Sequence, residues 1–300
     1  MAVTPTYNTG VLPANYTATV ESTLNMVEKI AKQALYMIET DDHLYPLEKG
    51  DIDNGTDIEQ VVVQLASGNA FNADKDAFSA TAPSLAVRYF KTWTPYQYDT
   101  KVTDDDIRKV MMPGRSYTEL ADMIVGNLAQ SYMQENYEII RDMFANTTVR
   151  TNCMKKIGTA TNNNYKDILT QIKNAVSGLK FVNTTYNAAG IKRRTRAEDI
   201  IILMPYTIKN AMDVNELASV FNLSKDELDA RIIEIDPATA NAIYILDRNA
   251  AQIYTRVYGM ESIRNPANRT SYYYLTVDKM YAMSPLFDCA YIELTEPEGT

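Results

Sequence analysis

Residues 116–146 read SYTELADMIVGNLAQSYMQENYEIIRDMFAN. Ser116 followed three positions later by Glu119 is the pattern of a capping box, in which the two side chains satisfy orphan backbone N–H groups at a helix start. Behind it, Leu120, Ile124, Leu128, Tyr132, Ile139, Ile140 and Met143 recur at helical spacing. Roughly thirty residues at 1.5 Å each make a rod of about 45 Å. That is longer than an ordinary globular helix, and it predicts one spine on which the rest of the chain is hung.

Upstream of the rod, Thr103 followed by Asp104, Asp105 and Asp106 is a helix-start signal with acids in the first turn, interrupted by Pro113-Gly114. Before that lie two extended segments. Residues 57–65 carry Ile58, Val61, Val62, Val63 and Leu65. Residues 85–102 carry Val87, Tyr89 and Trp93 on one face and Phe90, Tyr96 and Tyr98 on the other. A polar stretch, 67–84, joins them. This predicts a long antiparallel hairpin with a polar tip. A lone hairpin is marginal in water, so apolar residues on both faces imply a cover, and a neighbouring subunit is one candidate. Further upstream, Leu24, Val27, Ala31, Ala34, Leu35 and Ile38 predict an amphipathic helix over 21–39, ended by Pro46 and Gly50. Residues 1–20 are uncharged and rich in Thr, Asn, Tyr and Pro, as expected of an extended arm.

Downstream of the rod, helices and strands alternate. Ile168, Leu169, Ile172, Val176 and Leu179 predict a helix closing near Gly178, and 200–204 predict a short buried strand. A helix is expected over 206–221, and Ser224 with Glu227 makes another capping box. Strands follow at 232–235, 242–246 and 253–258, and two long ones close the chain at 272–283 and 286–294. Strands mixed with helices indicate an α+β protein.

Composition narrows the function by exclusion. The 300 residues include 29 basic and 38 acidic side chains, a net charge of −9. There are 21 Tyr but only 7 Phe, 1 Trp, 1 His and 2 Cys. Zinc sites need clustered Cys and His, which cannot be assembled from Cys153, Cys289 and His43. Two scattered cysteines fit buried thiols in a reducing compartment. The first 20 residues lack the charged and apolar regions of a signal peptide, and no run of about 18 apolar residues exists to span a membrane. The acidic balance argues against a generic nucleic-acid binder. Phosphate-loop and dinucleotide-binding glycine patterns are absent, and so is a nucleophile elbow to pair with His43, which reads better as a solvated side chain near a helix end. Asp51-Ile52-Asp53-Asn54-Gly55 has its glycine one position early for a calcium loop and reads as a turn. No cofactor or metal is expected.

Two features point to surfaces instead. Lys192, Arg193, Arg194 and Arg196 place four cations within a few residues. They read as a solvated loop or as inter-subunit donors facing acids such as Asp104 and Asp105, rather than as a nucleic-acid site. Tyrosine suits interfaces because its ring packs while its hydroxyl stays satisfiable. For Tyr272, Tyr273 and Tyr274, core packing and interface burial account equally well.

The stretch 212–294 carries a resemblance. Asp213-Val214, the helix over 217–221, Ile245-Leu246-Asp247, Ile263-Arg264-Asn265-Pro266 and the aromatic strand 272–274 occur in the order seen in the major head proteins of the phi-29 group of small podoviruses. The resemblance implies the Hong-Kong-97-type phage capsid fold. Its parts would be an N-terminal arm and helix (1–54), an E-loop hairpin (55–101), a P-domain (102–149 and 271–300, with spine helix 116–146) and an A-domain (150–270). It implies a major capsid protein, not an enzyme, located in the virion. The protein would assemble in the host cytoplasm into pentamers and hexamers around double-stranded DNA, which it does not bind sequence-specifically. A scaffolding protein, portal and minor capsid proteins are its expected partners beyond itself. The phi-29 head protein carries an immunoglobulin-like C-terminal domain. None is expected here, nor a long cleaved scaffolding segment at the N-terminus. The cross-linking residues of one branch of the fold match no motif in this sequence. The inter-subunit contacts expected are Trp93, Tyr96, Tyr98, Asp104, Asp105, Lys192, Arg193, Arg194 and Arg196. An encapsulin-like shell on the same fold, and a soluble enzyme with an unrecognised carboxylate site, are the alternatives.

Overall fold

The computed structural model describes residues 41–66, 84–103, 117–214, 230–236 and 241–296. The arm and its helix, the hairpin tip, Asp104, Asp105, Ser116 and the Ser224–Glu227 box lie outside the described residues.

The strands are β1 (Glu48–Asp51), β2 (Ile58–Val63), β3 (Leu85–Phe90), β4 (Thr94–Thr103), β5 (Lys155–Thr161), β6 (Ile200–Pro205), β7 (Arg231–Ile235), β8 (Ala242–Asp247), β9 (Ala251–Asn265), β10 (Thr270–Met283) and β11 (Cys289–Thr295). The helices are α1 (Tyr117–Ala145), α2 (Thr147–Cys153), α3 (Tyr165–Leu179) and α4 (Tyr206–Val214). They build a five-stranded sheet in the order β5-β11-β8-β6-β7, a four-stranded sheet in the order β1-β9-β10-β4, and the separate pair β2-β3.

The spine forms as its sequence predicts, over 29 residues. It stops at Asn146, whose side chain turns away to accept from the Thr148 and Val149 backbone N–H groups and so caps α2. Chain contacts divide the molecule into two units. The larger comprises Thr40–Gln97, Ser131–Gly259 and Thr276–Thr300. Within it the five-stranded sheet is covered on both faces. Ile201, Leu203, Tyr244 and Leu246 join Ile140 and Phe144 of α1 on one side. Ile200, Ile202, Ile243 and Ile245 join Ile168, Ile172 and Leu179 of α3 on the other. Alternate residues of β6 and β8 thus enter different cores. All six residues of each strand are buried, which is why both read as apolar runs, broken only by Asp247 at the end of β8.

The smaller unit comprises Met1–Glu39, Tyr98–Gln130 and Met260–Leu275. Its described part holds the second half of β4, the last residues of β9, the first residues of β10 and the first half of α1. The turn between β9 and β10 places Arg269 at φ 51°, and Asn268 holds Thr270 through its side-chain and backbone oxygens.

Two expectations are corrected. The extended segment 85–102 is not one strand: it breaks at 91–93, and β3 pairs with β2 while β4 lies beside β10. The last strand packs Cys289 and Tyr291 into the core shared with α1, but it does not pair with β10, the other strand expected in its group. β11 inserts between β5, to which it is parallel, and β8, to which it is antiparallel. Its apolar Ile292 and Leu294 are needed in the core beneath α3. It also begins later than expected, because 284–288 form a turn.

Candidate inter-subunit surfaces

The β2-β3 hairpin pairs six residues with six, from Ile58 opposite Phe90 to Val63 opposite Leu85. In this register Glu59-Tyr89, Val61-Val87 and Val63-Leu85 share one face. That face is open to solvent, with exposures from 41% at Val87 to 63% at Val63. Leu65 continues it past the strand end. The Tyr89 hydroxyl donates to Glu59 at 2.9 Å, and that bond pushes the phenol above its ordinary pKa. The opposite face is more buried, Phe90 most of all.

The aromatics expected to reach a neighbour have partners within the chain. Trp93, half-buried at the break after β3, stacks under the Arg256 guanidinium at 4.6 Å. Arg256 is in turn held by Asp278 through two nitrogens. Tyr96 meets Tyr281 edge-on at 6.5 Å, and burial raises its phenol pKa. Tyr98 is half-buried on β4, and Tyr272, Tyr273 and Tyr274 are half-buried along β10.

The basic cluster is split. Lys192, Arg194 and Arg196 are exposed, with Arg196 near Glu198 at 3.5 Å. Arg193 turns inward: its side chain is 15% exposed and bonded to Asp247, with Asp288 at 3.4 Å. It also donates to the Leu286 carbonyl and lies 3.9 Å over the Phe287 ring. Thr195 and Asn187 complete the site by donating to Asp288 at 2.8 and 3.1 Å. Two buried carboxylates thus share one guanidinium, and burial is the main cause that raises the Asp247 pKa. The loop base is fixed by a two-bond bridge between Asn183 and Arg193. Phe181, 72% exposed, and Val182 sit at its start. Nothing in the local sequence separates Arg193 from its neighbours. Only the remote Asp247 and Asp288 do.

The enzyme-like groups sit in unreactive surroundings. His43 is exposed, 3.8 Å from Asp41. Cys153 and Cys289 are free, and burial drives the Cys289 thiol far above its ordinary value, so it stays protonated and a poor nucleophile. Asp51–Gly55 forms a turn with Gly55 at φ +84°.

The described residues thus combine a long spine helix, a separate two-stranded hairpin and a mixed sheet covered by helices on both faces. The capsid structure of Staphylococcus phage Andhra superposes with a TM-score of 0.71 at 14% identity, covering 89% of this chain and 88% of that one. The fold is therefore the Hong-Kong-97-type capsid fold. The family described as Phi29-like phage major capsid protein matches residues 8–293, and the chain belongs to that family. The family is structural, not enzymatic, and its place is the virion. Among curated relatives, the major capsid protein of Bacillus phage GA-1 is 23% identical over 249 residues, 79% of this chain and 52% of the relative. That of Bacillus phage PZA is 18% identical over 270 residues, 87% of this chain and 60% of the relative. The chain thus spans between half and about three-fifths of the length of these two relatives.

Proposed function

We propose that this chain assembles with copies of itself into the pentamers and hexamers of an icosahedral head enclosing double-stranded DNA. The observation that carries the reading is the open apolar face of the β2-β3 hairpin. Burying a Val or Leu side chain fully is worth about 1.5–3 kcal/mol. A face of five such residues and a tyrosine, left in water, is a standing cost that a neighbour's surface removes. Each contact of this kind is weak alone, yet a subunit held by several neighbours gains avidity.

The exposed Lys192, Arg194 and Arg196 are proposed as rim contacts to acidic residues of a neighbouring copy, with Asp104 and Asp105 as candidate partners. Such contacts set register and encounter rate more than affinity. Trp93, Tyr96 and Arg193 support this indirectly, by fixing the base of the hairpin and of the basic loop. A net charge of −9 suits a wall that encloses DNA without gripping phosphate. Assembly takes place in the host cytoplasm, with a scaffolding protein, a portal and minor capsid proteins as further partners. Particles purified after nuclease treatment test the DNA part. Protected double-stranded DNA inside them supports it, and empty or protein-filled particles contradict it.

A further inference from the structure

Lys279 is completely buried, in the middle of β10. Its Nζ lies 3.0 Å from Oδ1 of Asn136, a buried residue of α1, and contacts Glu48 Oε1. The same Glu48 oxygen accepts from Asn136 Nδ2 at 2.9 Å. A single carboxylate therefore touches both a primary amine and the amide nitrogen beside it. The Tyr281 hydroxyl donates to Asn136 Oδ1 at 2.9 Å, and Asp42 accepts from Asn136 Nδ2. The Tyr132 ring closes over Lys279 at 5.2 Å. Asp42, Glu48, Tyr132 and Asn136 also line a cleft of about 520 Å³ whose rim includes the exposed Asp41 and His43.

We propose that these groups form an isopeptide bond between Lys279 Nζ and Asn136 Cγ, within one chain and without a cofactor. Glu48 takes a proton from Nζ, and the freed amine adds to Cγ. The charge that develops on Oδ1 is met by the Tyr281 hydroxyl, in the manner of an oxyanion donor. The Cγ–Nδ2 bond then breaks. Of the three Nζ protons, two pass by way of Glu48 to Nδ2, which departs as ammonium, and the third remains on the new amide. Atoms and charge balance with no oxidant or other co-reactant. Asp42 holds the leaving nitrogen, and the cleft gives it a way out. Placing amine and amide in contact inside a buried site supplies the proximity that such a reaction lacks in water. The product ties the spine helix to β10 across 143 residues of sequence, a covalent brace suited to a wall under load.

Mass spectrometry of the denatured full chain tests this. The expected protein is lighter than its sequence by one ammonia, and its tryptic digest contains a branched peptide joining Asn136 to Lys279. Lys279→Arg keeps the charge but cannot form the bond, and is expected at full sequence mass. Glu48→Gln removes the base and slows ammonia loss roughly a hundredfold or more. A folded wild-type chain of full mass that yields separate Asn136 and Lys279 peptides overturns the proposal. So does an ammonia loss that persists in Lys279→Arg or maps to Asn54-Gly55, where ring closure also expels ammonia. Should the variants fail to fold, the wild-type digest decides alone.

Discussion

Arg193 donates to Asp247 over 2.6 Å, and this contact makes one member of a basic loop a structural anchor. Its neighbours Lys192 and Arg194 face solvent. Removing Arg193 leaves Asp247 and Asp288 buried without their shared counter-charge, a defect that typically costs about 3–5 kcal/mol. Arg193→Met is therefore expected to lower the urea midpoint of the unassembled subunit sharply. Arg194→Ala is expected within about 0.5 kcal/mol of wild type. Equal, small effects from both would show that the inward pairing contributes nothing.

The same pair gives a pH dependence. Burial, the leading cause, raises the Asp247 pKa above its ordinary 3.8. In the window just above 3.8 the folded state therefore holds a proton that the unfolded state has released. Stability from this group is full below the window and declines as pH rises through the raised value. Asp42 is raised for the same leading reason and acts in the same sense. The stability difference between wild type and Asp247→Asn is expected to shrink as pH rises from 3.8 through the acidic range. Urea titrations at several pH values read this directly, and a difference that grows with pH has the wrong sign.

Two glycines separate tight packing from adjustable packing. A Cβ at Gly178 would meet the Tyr186 hydroxyl oxygen at 2.2 Å and ring carbons at 2.8 and 2.9 Å. A Cβ at Gly158 would meet Gln171 Oε1 at 1.9 Å, the free end of a flexible side chain. Gly178→Ala is expected to cost about 1–3 kcal/mol, since the ring must be displaced as a rigid body. Gly158→Ala should cost less, because Gln171 can swing away at the expense of its bonds to the Thr159 carbonyl at 3.1 Å and to Asp167 at 2.9 Å. Thermal unfolding of both variants checks the order, and the reverse order contradicts it.

What the sequence made legible was local. The spine followed from a capping box and a helical period broken only around Asn136, and its end fell at the asparagine that caps α2. Strand β6 followed from a run of buried apolar residues. Partner choice was not legible, because strand pairing is non-local. Alternation runs on past Phe90 into Thr94–Thr103, so nothing announces that the chain leaves one sheet for another at Trp93. Ile292 and Leu294 mark β11 as buried, but only the assembled sheet places it between β5 and β8. For the candidate surfaces, the apolar content of the hairpin was evident, while its open face depends on the register that sets Val61 opposite Val87. Arg193 could not be told from Arg194 until Asp247 and Asp288 were brought beneath it.

Assembly rests on the open face of the hairpin. Val61 and Val63 lie on the open side of β2 and support no core, so the double variant Val61→Glu, Val63→Glu should leave subunit stability within about 1 kcal/mol of wild type. In a closed shell the same two carboxylates would have to be buried without partners, which is strongly unfavourable. Electron microscopy of wild-type and variant protein, purified identically, is the most direct measurement. Closed particles are expected from the wild type and only folded, unassembled subunits from the variant. Normal particles from the variant would contradict this.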